Sequence, residues 1–309
     1  MKNFRSIISI LIIFSMLSVT AEAKKIKLEY DLKPGDQFKL ELVQQQDTEQ
    51  EVMGQVQHMS TELTAQYDFK VISADKEGKM SLEVLLSRFA FKMQNPMMEF
   101  TFDSAKEEEI PQYGRPFMIV LNEVFTFNLD RLGNVSALVA PDGLEAKVMQ
   151  EMMSLDGMDA QLLAGIAGSL GSAEQMNTTL GGLFMKMPVN KIEPGETWKE
   201  EGVFNQMIAF KTTSTYKLAG TSKNGSEIAL AVQITQADPN LSMPMEGMTM
   251  SYELAGDKSG KILLEPNGLV QTSESVTVIS GIISVESPQL PAPMSIPITA
   301  QAVDRIRRL

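Results

Sequence analysis

Five places in the chain carry residue types that could do chemistry. The pentapeptide AGSLG at 167–171 approximates the Gly-x-Ser-x-Gly turn that presents a serine nucleophile, with Ala167 in the first glycine position. That turn needs a strand before Ser169, a helix after it and a histidine to accept the proton. The stretch before Ser169 reads as helix, and His58, in the polar segment GQVQHMSTE, is the chain's only histidine. A lone histidine also leaves a histidine-based metal site without partners. The run KEEE at 106–109 offers neighbouring carboxylates but reads as a solvated face. DKEGKMSLE, from Asp75, begins like a calcium loop, lacks its acidic spacing and reads better as a hairpin turn. With no Walker loop and no dinucleotide fingerprint, the sequence argues against an enzyme and names no cofactor and no metal.

Methionine is the fifth candidate, with 22 in the chain, grouped at 149–158, 185–187 and 243–250. Thioethers are soft ligands for Cu(I), although such sites usually recruit histidine or cysteine as well. They are also flexible and polarisable, which suits an adaptable apolar cavity. The plainest reading is a core in which methionine stands for leucine. The residues picked out as lining an apolar ligand are Met149, Met152, Met153, Met248, Met250 and Tyr252.

Positioning these residues falls to a chain that writes one phrase twice. LKPGDQFKLE at 32–41 and IEPGETWKEE at 192–201 share Pro-Gly-acid-x-aromatic, in which Pro and Gly suit the two central positions of a type II turn. Phe38 and Trp198 then occupy equivalent strand starts, where an aromatic covers the end of a core. After each comes a period-two hairpin: Tyr67, Phe69 and Val71, then Met80, Leu82, Val84 and Leu86; later Tyr216 and Leu218, then Ile228, Leu230, Val232 and Ile234. FTFNLDRLGNV at 125–135 also matches GKILLEPNGLV at 260–270. Between the copies, Leu144, Val148 and Met152 recur at helical spacing after Asp142 and Glu145, which resemble a capping box. Glycines 165, 168 and 171 then break the Met/Ala/Gly-rich continuation into two or three short helices, and another helical stretch is expected near 116–124.

The expected divisions are a cleaved signal peptide at 1–23, a first β repeat at 24–140, a helical insert at 141–187 and a second β repeat at 188–309. Lys2 and Arg5, the apolar run 7–19 and the Ala21-Glu22-Ala23 site place cleavage between Ala23 and Lys24. That run is shorter than the roughly 20 residues that cross a bilayer, so no stable transmembrane segment is expected in the mature chain. The expected location is periplasmic or extracellular. A net charge of −12 disfavours nucleic acid and anionic lipid surfaces, and with no cysteine the fold rests on core burial alone.

The order of these elements, with FDSA at 102–105, FNLDRLGNV at 127–135 and MPVNKIEPGETW at 187–198, resembles a family of exported bacterial envelope proteins of unknown function. The resemblance implies an exported, mainly β (α+β) protein: a curved antiparallel sheet or half-barrel of two repeated units with a helical insert packed against it. More remotely it is similar in fold to the Lol-type lipoprotein carriers. Asp103-Ser104-Ala105 is similar to a bacterial O-glycosylation acceptor motif, with Ser104 as the acceptor. Three functions stay open: carriage of a lipid or other apolar molecule, a structural or interaction role with an envelope protein partner, and Cu(I) binding.

Overall fold

The computed structural model describes residues 25–52, 54–96, 98–106, 109–155, 173–205, 208–245, 248–288 and 292–309. The signal-peptide reading, the cleavage site and Ser169 lie outside the described residues. Within them the chain forms β1 (Gln37–Val52), β2 (Gln55–Ala74), β3 (Met80–Asn95), β4 (Met98–Asp103), α1 (Arg115–Val120), β5 (Val124–Leu129) and β6 (Val135–Val139). Then follow α2 (Leu144–Met153), α3 (Ala173–Leu183), β7 (Thr197–Asn205), β8 (Ala209–Ser222), β9 (Gly225–Gln236), β10 (Ser242–Met245), β11 (Met248–Leu264), β12 (Val270–Glu286) and β13 (Met294–Arg308). All thirteen strands join one open antiparallel sheet in the order β6-β5-β3-β2-β1-β13-β12-β11-β9-β8-β7, with β4 on β3 and β10 on β11. The C-terminal strand sits at the centre, between β1 and β12.

Local chemistry sets the ends of these strands. In the Pro-Gly turn at 33–36 the Asp36 N–H donates to the Lys33 carbonyl and the Asp36 carboxylate accepts from the Lys33 N–H. Gly35 N–H donates to Val71 O, while Asp36 O accepts from Val71 N–H. The turn at 193–196 repeats all four bonds, with Glu196 acting on Glu193, and Gly195 and Glu196 on Leu218. The following aromatics each stack on a cross-strand ring, Phe38 on Phe69 at 4.7 Å and Trp198 on Tyr216 at 5.2 Å. Trp198 Nε1 donates to Lys186 O at 3.0 Å, and the half-buried indole packs against the main core.

One end of the sheet is gathered by two crossing segments, 25–32 and 184–192. Ile26 pairs with Ile192, which leads into the β7 edge. Tyr30 N–H donates to Arg131 O in the β5–β6 turn, near the opposite edge, and Asp31 N–H to Asn267 O in the β11–β12 turn. Both edges therefore converge on one short segment, which demands strong curvature. Leu28, Tyr30 and Leu32 are buried there among residues from both halves of the sheet.

Two glycines make this closure possible. Gly133 and Gly268 take φ of +84° and +86° in equivalent turns, and a Cβ would stand 2.3 Å from Met185 O and 2.4 Å from Glu29 O respectively. Gly133→Ala and Gly268→Ala should each cost about 2 kcal/mol through backbone strain and displacement of the crossing strand. Urea unfolding should show the loss as a lower midpoint with unchanged slope.

The helices cover the first half of the sheet. α1 packs Pro116, Phe117 and Val120 inward, and α2 buries Leu144 and Val148 with Met152 half-buried beside them. The start of α2 differs from the expected capping box. Gly143, at φ +71°, is the N-cap and no side chain caps the helix. The Leu144 N–H instead donates to Pro141 O, closing a backbone turn ahead of the helix.

Candidate functional site

Side chains alternate between the two faces of each strand, so register defines what lines the concave side. Across β11, β12, β13 and β1, the row Ile262–Ser273–Ile306–Leu42 borders the main core. Next comes Gly260–Ser275–Asp304–Gln44, then Lys258–Thr277–Ala302–Gln46, then Gly256–Ile279–Ala300–Thr48 and Leu254–Gly281–Ile298–Gln50. The last three rows flank a trough of about 210 Å³, closed on its other side by Ile208, just before β8, and Phe210, at its start. Its lining is Gln46, Ile208, Phe210, Leu254, Thr277, Ile279, Ile298, Ala300 and Ala302. Only Gln46 and Thr277 bring polar side chains. The short side chains of Ala300 and Ala302 leave the space; β8 curls back across it because the sheet is bent.

A second apolar cluster supports this end of the sheet, with Ile208, Phe210, Val232, Ile234 and Tyr252 buried, apart from the main core. Between the two apolar regions stands an ion pair. Lys258 Nζ lies 2.8 Å from Asp304 Oδ2, and Gln44 Nε2 donates to Asp304 Oδ1 at 2.9 Å. The pair is largely sheltered, with side chains 29% and 18% exposed.

The opposite face carries a polar ladder. Arg307 Nε donates to Glu41 Oε1 at 2.6 Å and Gln66 Nε2 to Glu41 Oε2 at 2.8 Å. Burial pushes the Glu41 carboxyl up, but these bonds together with the Arg307 and Arg88 charges outweigh it and hold it below its ordinary value. Arg88 grips Asp103 through both oxygens at 3.1 and 2.8 Å, and Lys106 adds a contact at 3.3 Å.

The sequence candidates are scattered across these regions. Met149 and Met153 are exposed on α2, and Met152 packs on the main core. Met250 and Tyr252 belong to the second cluster, and Met248 is exposed at the start of β11. The two methionine groups are thus not brought together. Met185 and Met187 are core residues. His58 is exposed, 3.3 Å from Glu49 on the neighbouring strand. Asp75 accepts from the Glu77 and Lys79 N–H groups in the β2–β3 hairpin turn. Ser104 accepts from the Phe89 N–H at 3.0 Å, and residues 107 and 108 of the charge run lie outside the described residues. No group of three or more histidine, cysteine or acidic side chains suited to a metal occurs among the described residues. Nor is any helix among them long and apolar enough to cross a membrane.

The trough residues were missed by sequence reasoning. Their signal lies in SIPITAQAVDRI, where inward positions 296, 298, 300, 302 and 304 run Ile, Ile, Ala, Ala, Asp. Two alanines in succession on an inward face mark space as much as packing.

Solved structures give distant likenesses. Lipovitellin, from a study of its lipid–protein interactions, aligns with 90% of this chain at 10% identity and a TM-score of 0.45, and this chain spans 25% of that one. An outer membrane channel from Pseudomonas putida F1 aligns at 8% identity and a TM-score of 0.21, over 91% of this chain and 97% of its own. A DUF1329 family protein from Desulfovibrio piger aligns at 8% identity and a TM-score of 0.13, over 86% and 85%. A search of curated proteins finds no match. A family model does match, over residues 77–269 and so over more than half of the chain, and by that match the chain belongs to the family of unknown function DUF6263.

Proposed function

We propose that this protein is an exported, non-enzymatic component of the bacterial envelope that holds a lipid or other apolar molecule on its concave face. The observation that carries the reading is the trough of about 210 Å³, lined by Ile208, Phe210, Leu254, Ile279 and Ile298 and kept open by Ala300 and Ala302. Concave, mostly apolar sites with a few placed polar groups are where small apolar ligands bind. The shared turn geometry of the two halves fits two copies of one β unit, of which the first is filled by helices and the second keeps its space. Separation of the methionine groups into different clusters speaks against one copper site. A partner role in the envelope draws support from a strip on the outer face of β12, where Val276, Val278 and Ile282 are exposed.

Purification from an envelope fraction without detergent, followed by native mass spectrometry and solvent extraction, tests the reading. The expected result is a discrete added mass that extracts as a lipid. Ala300→Trp, which fills the trough, should abolish that mass while changing stability by no more than about 1 kcal/mol. A bare protein mass that persists after incubation with lipids would overturn the carrier reading in favour of the partner role.

A further inference from the structure

The trough's inner end is polar, with Gln46 and Thr277 in its lining and the Lys258–Asp304 pair just beyond them. Lys258 shares a row with the lining residues Thr277, Ala302 and Gln46, and its ammonium reaches diagonally across β12 to Asp304 in the next row. Both Asp304 oxygens are engaged, one by Lys258 and one by Gln44. An ammonium carries three N–H donors, and Asp304 is the acceptor that the described residues give it. Two donors are therefore left over where an otherwise apolar trough meets the main core. The Thr277 hydroxyl stands beside them in the lining. A group placed there is within the row of the Lys258 ammonium, the strongest donor at this end, while the nearby carboxylate is already satisfied.

Resting on the carrier reading above, we propose that the trough takes a single-chain acyl compound head first, with its carbonyl oxygen accepting hydrogen bonds from Lys258 and its chain running out past Ala300 and Ile298. Asp304 and Gln44 are positioning residues: they hold the ammonium against the trough wall and lower the cost of sheltering it, since a charge withdrawn from water must be paired and hydrogen-bonded. A small head is required, because rows beyond Asp304 close into the main core at Ile306 and Leu42. An acid and an ester both present the acceptor, whereas an alkane of equal length does not.

The test is binding of dodecanoic acid, methyl dodecanoate and dodecane to the delipidated protein, read by native mass spectrometry and calorimetry. At least one of the acid and the ester should bind roughly tenfold more tightly than dodecane, the range expected for hydrogen bonds to a charged group. The preferred member of the pair identifies the natural head. In the double variant Lys258→Met/Asp304→Asn, which removes the ammonium donors and the charge of their partner together while the new asparagine can still accept from Gln44, that advantage should vanish while dodecane binding holds. Equal affinity for all three would overturn head recognition and leave the apolar carrier standing. No binding of any would overturn both. An advantage that survives in a folded double variant would also refute the role of Lys258.

Discussion

Phe117→Ala should lower the unfolding free energy by about 4 kcal/mol, the range for removing a large buried aromatic. Phe117 is fully buried, its ring centroid 4.7 Å from Phe89, 5.2 Å from Phe91 and 5.8 Å from Phe102. Its helix, α1, has only six residues, too few to be stable by itself, so it is held through this side chain and its neighbours Pro116 and Val120. Truncation leaves a cavity walled by rings from β3 and β4, which strand pairing keeps from collapsing into the space. Urea unfolding followed by the fluorescence of Trp198, the single tryptophan, should show an unchanged slope and an earlier midpoint. Phe117→Leu should cost only about 1 kcal/mol, because most of the volume is kept. A loss below about 1 kcal/mol for the alanine variant would mean that the helix is a surface appendage and not part of the core.

Much of this architecture is written in period-two patterns. Tyr67, Phe69 and Val71 face Leu86, Val84 and Leu82 in the register that their alternation demands, because one face of each strand must be buried and a slip of one residue would expose the whole set. Strand order is less legible. That β13 lies between β1 and β12 is decided by closure of the sheet and by pairs such as Arg307–Glu41 and Arg305–Glu274, which join residues remote in sequence. Curvature is hidden for the same reason. Its causes are bonds of the 25–32 segment to distant turns, and none is local.

The candidate site was less readable than the fold. Methionine content drew attention to α2 and to the start of β11, yet a thioether on a helix reads alike whether it meets a ligand, a core or water. Met152 is half-buried while Met153, next to it, is 79% exposed. The trough depends on Ala300 and Ala302 facing Phe210 across several strands, a contact made by bending. Lys258 looks like an ordinary solvated residue in GDKSGK until register puts it on the concave side, diagonal to Asp304.

Breaking the Arg88–Asp103 clamp on the outer face should have the second largest effect. The hydrogen bonds from Arg88 come first among the causes that take the Asp103 carboxyl from an ordinary 3.8 to about 2, against a burial that pushes it up. A depressed folded value stabilises the protein above the unfolded value, and this stability is lost as pH falls from about 4 through about 2, amounting to about 2 kcal/mol. Arg88→Met strands the carboxylate with only Lys106 and the Ala105 N–H for support, and should cost about 3 kcal/mol near neutral pH. The deficit should shrink as acid protonates Asp103. In Asp103→Asn, stability should lose the acid-dependent component that the wild type shows between about pH 4 and about pH 2. Glu41, whose carboxyl is also held below its ordinary value, loses the Arg88 charge in Arg88→Met but keeps its partners in Asp103→Asn, so the Asp103 contribution is the difference between the wild-type and Asp103→Asn urea series measured at matched pH. If that difference is flat with pH, the clamp contributes packing alone. A difference that closes in acid shows that β3 and β4 are joined by charge. That joint supports the Phe89–Phe102 wall against which Phe117 packs, so the two sites are coupled and the double variant Arg88→Met/Phe117→Ala should lose less than the sum of its parts.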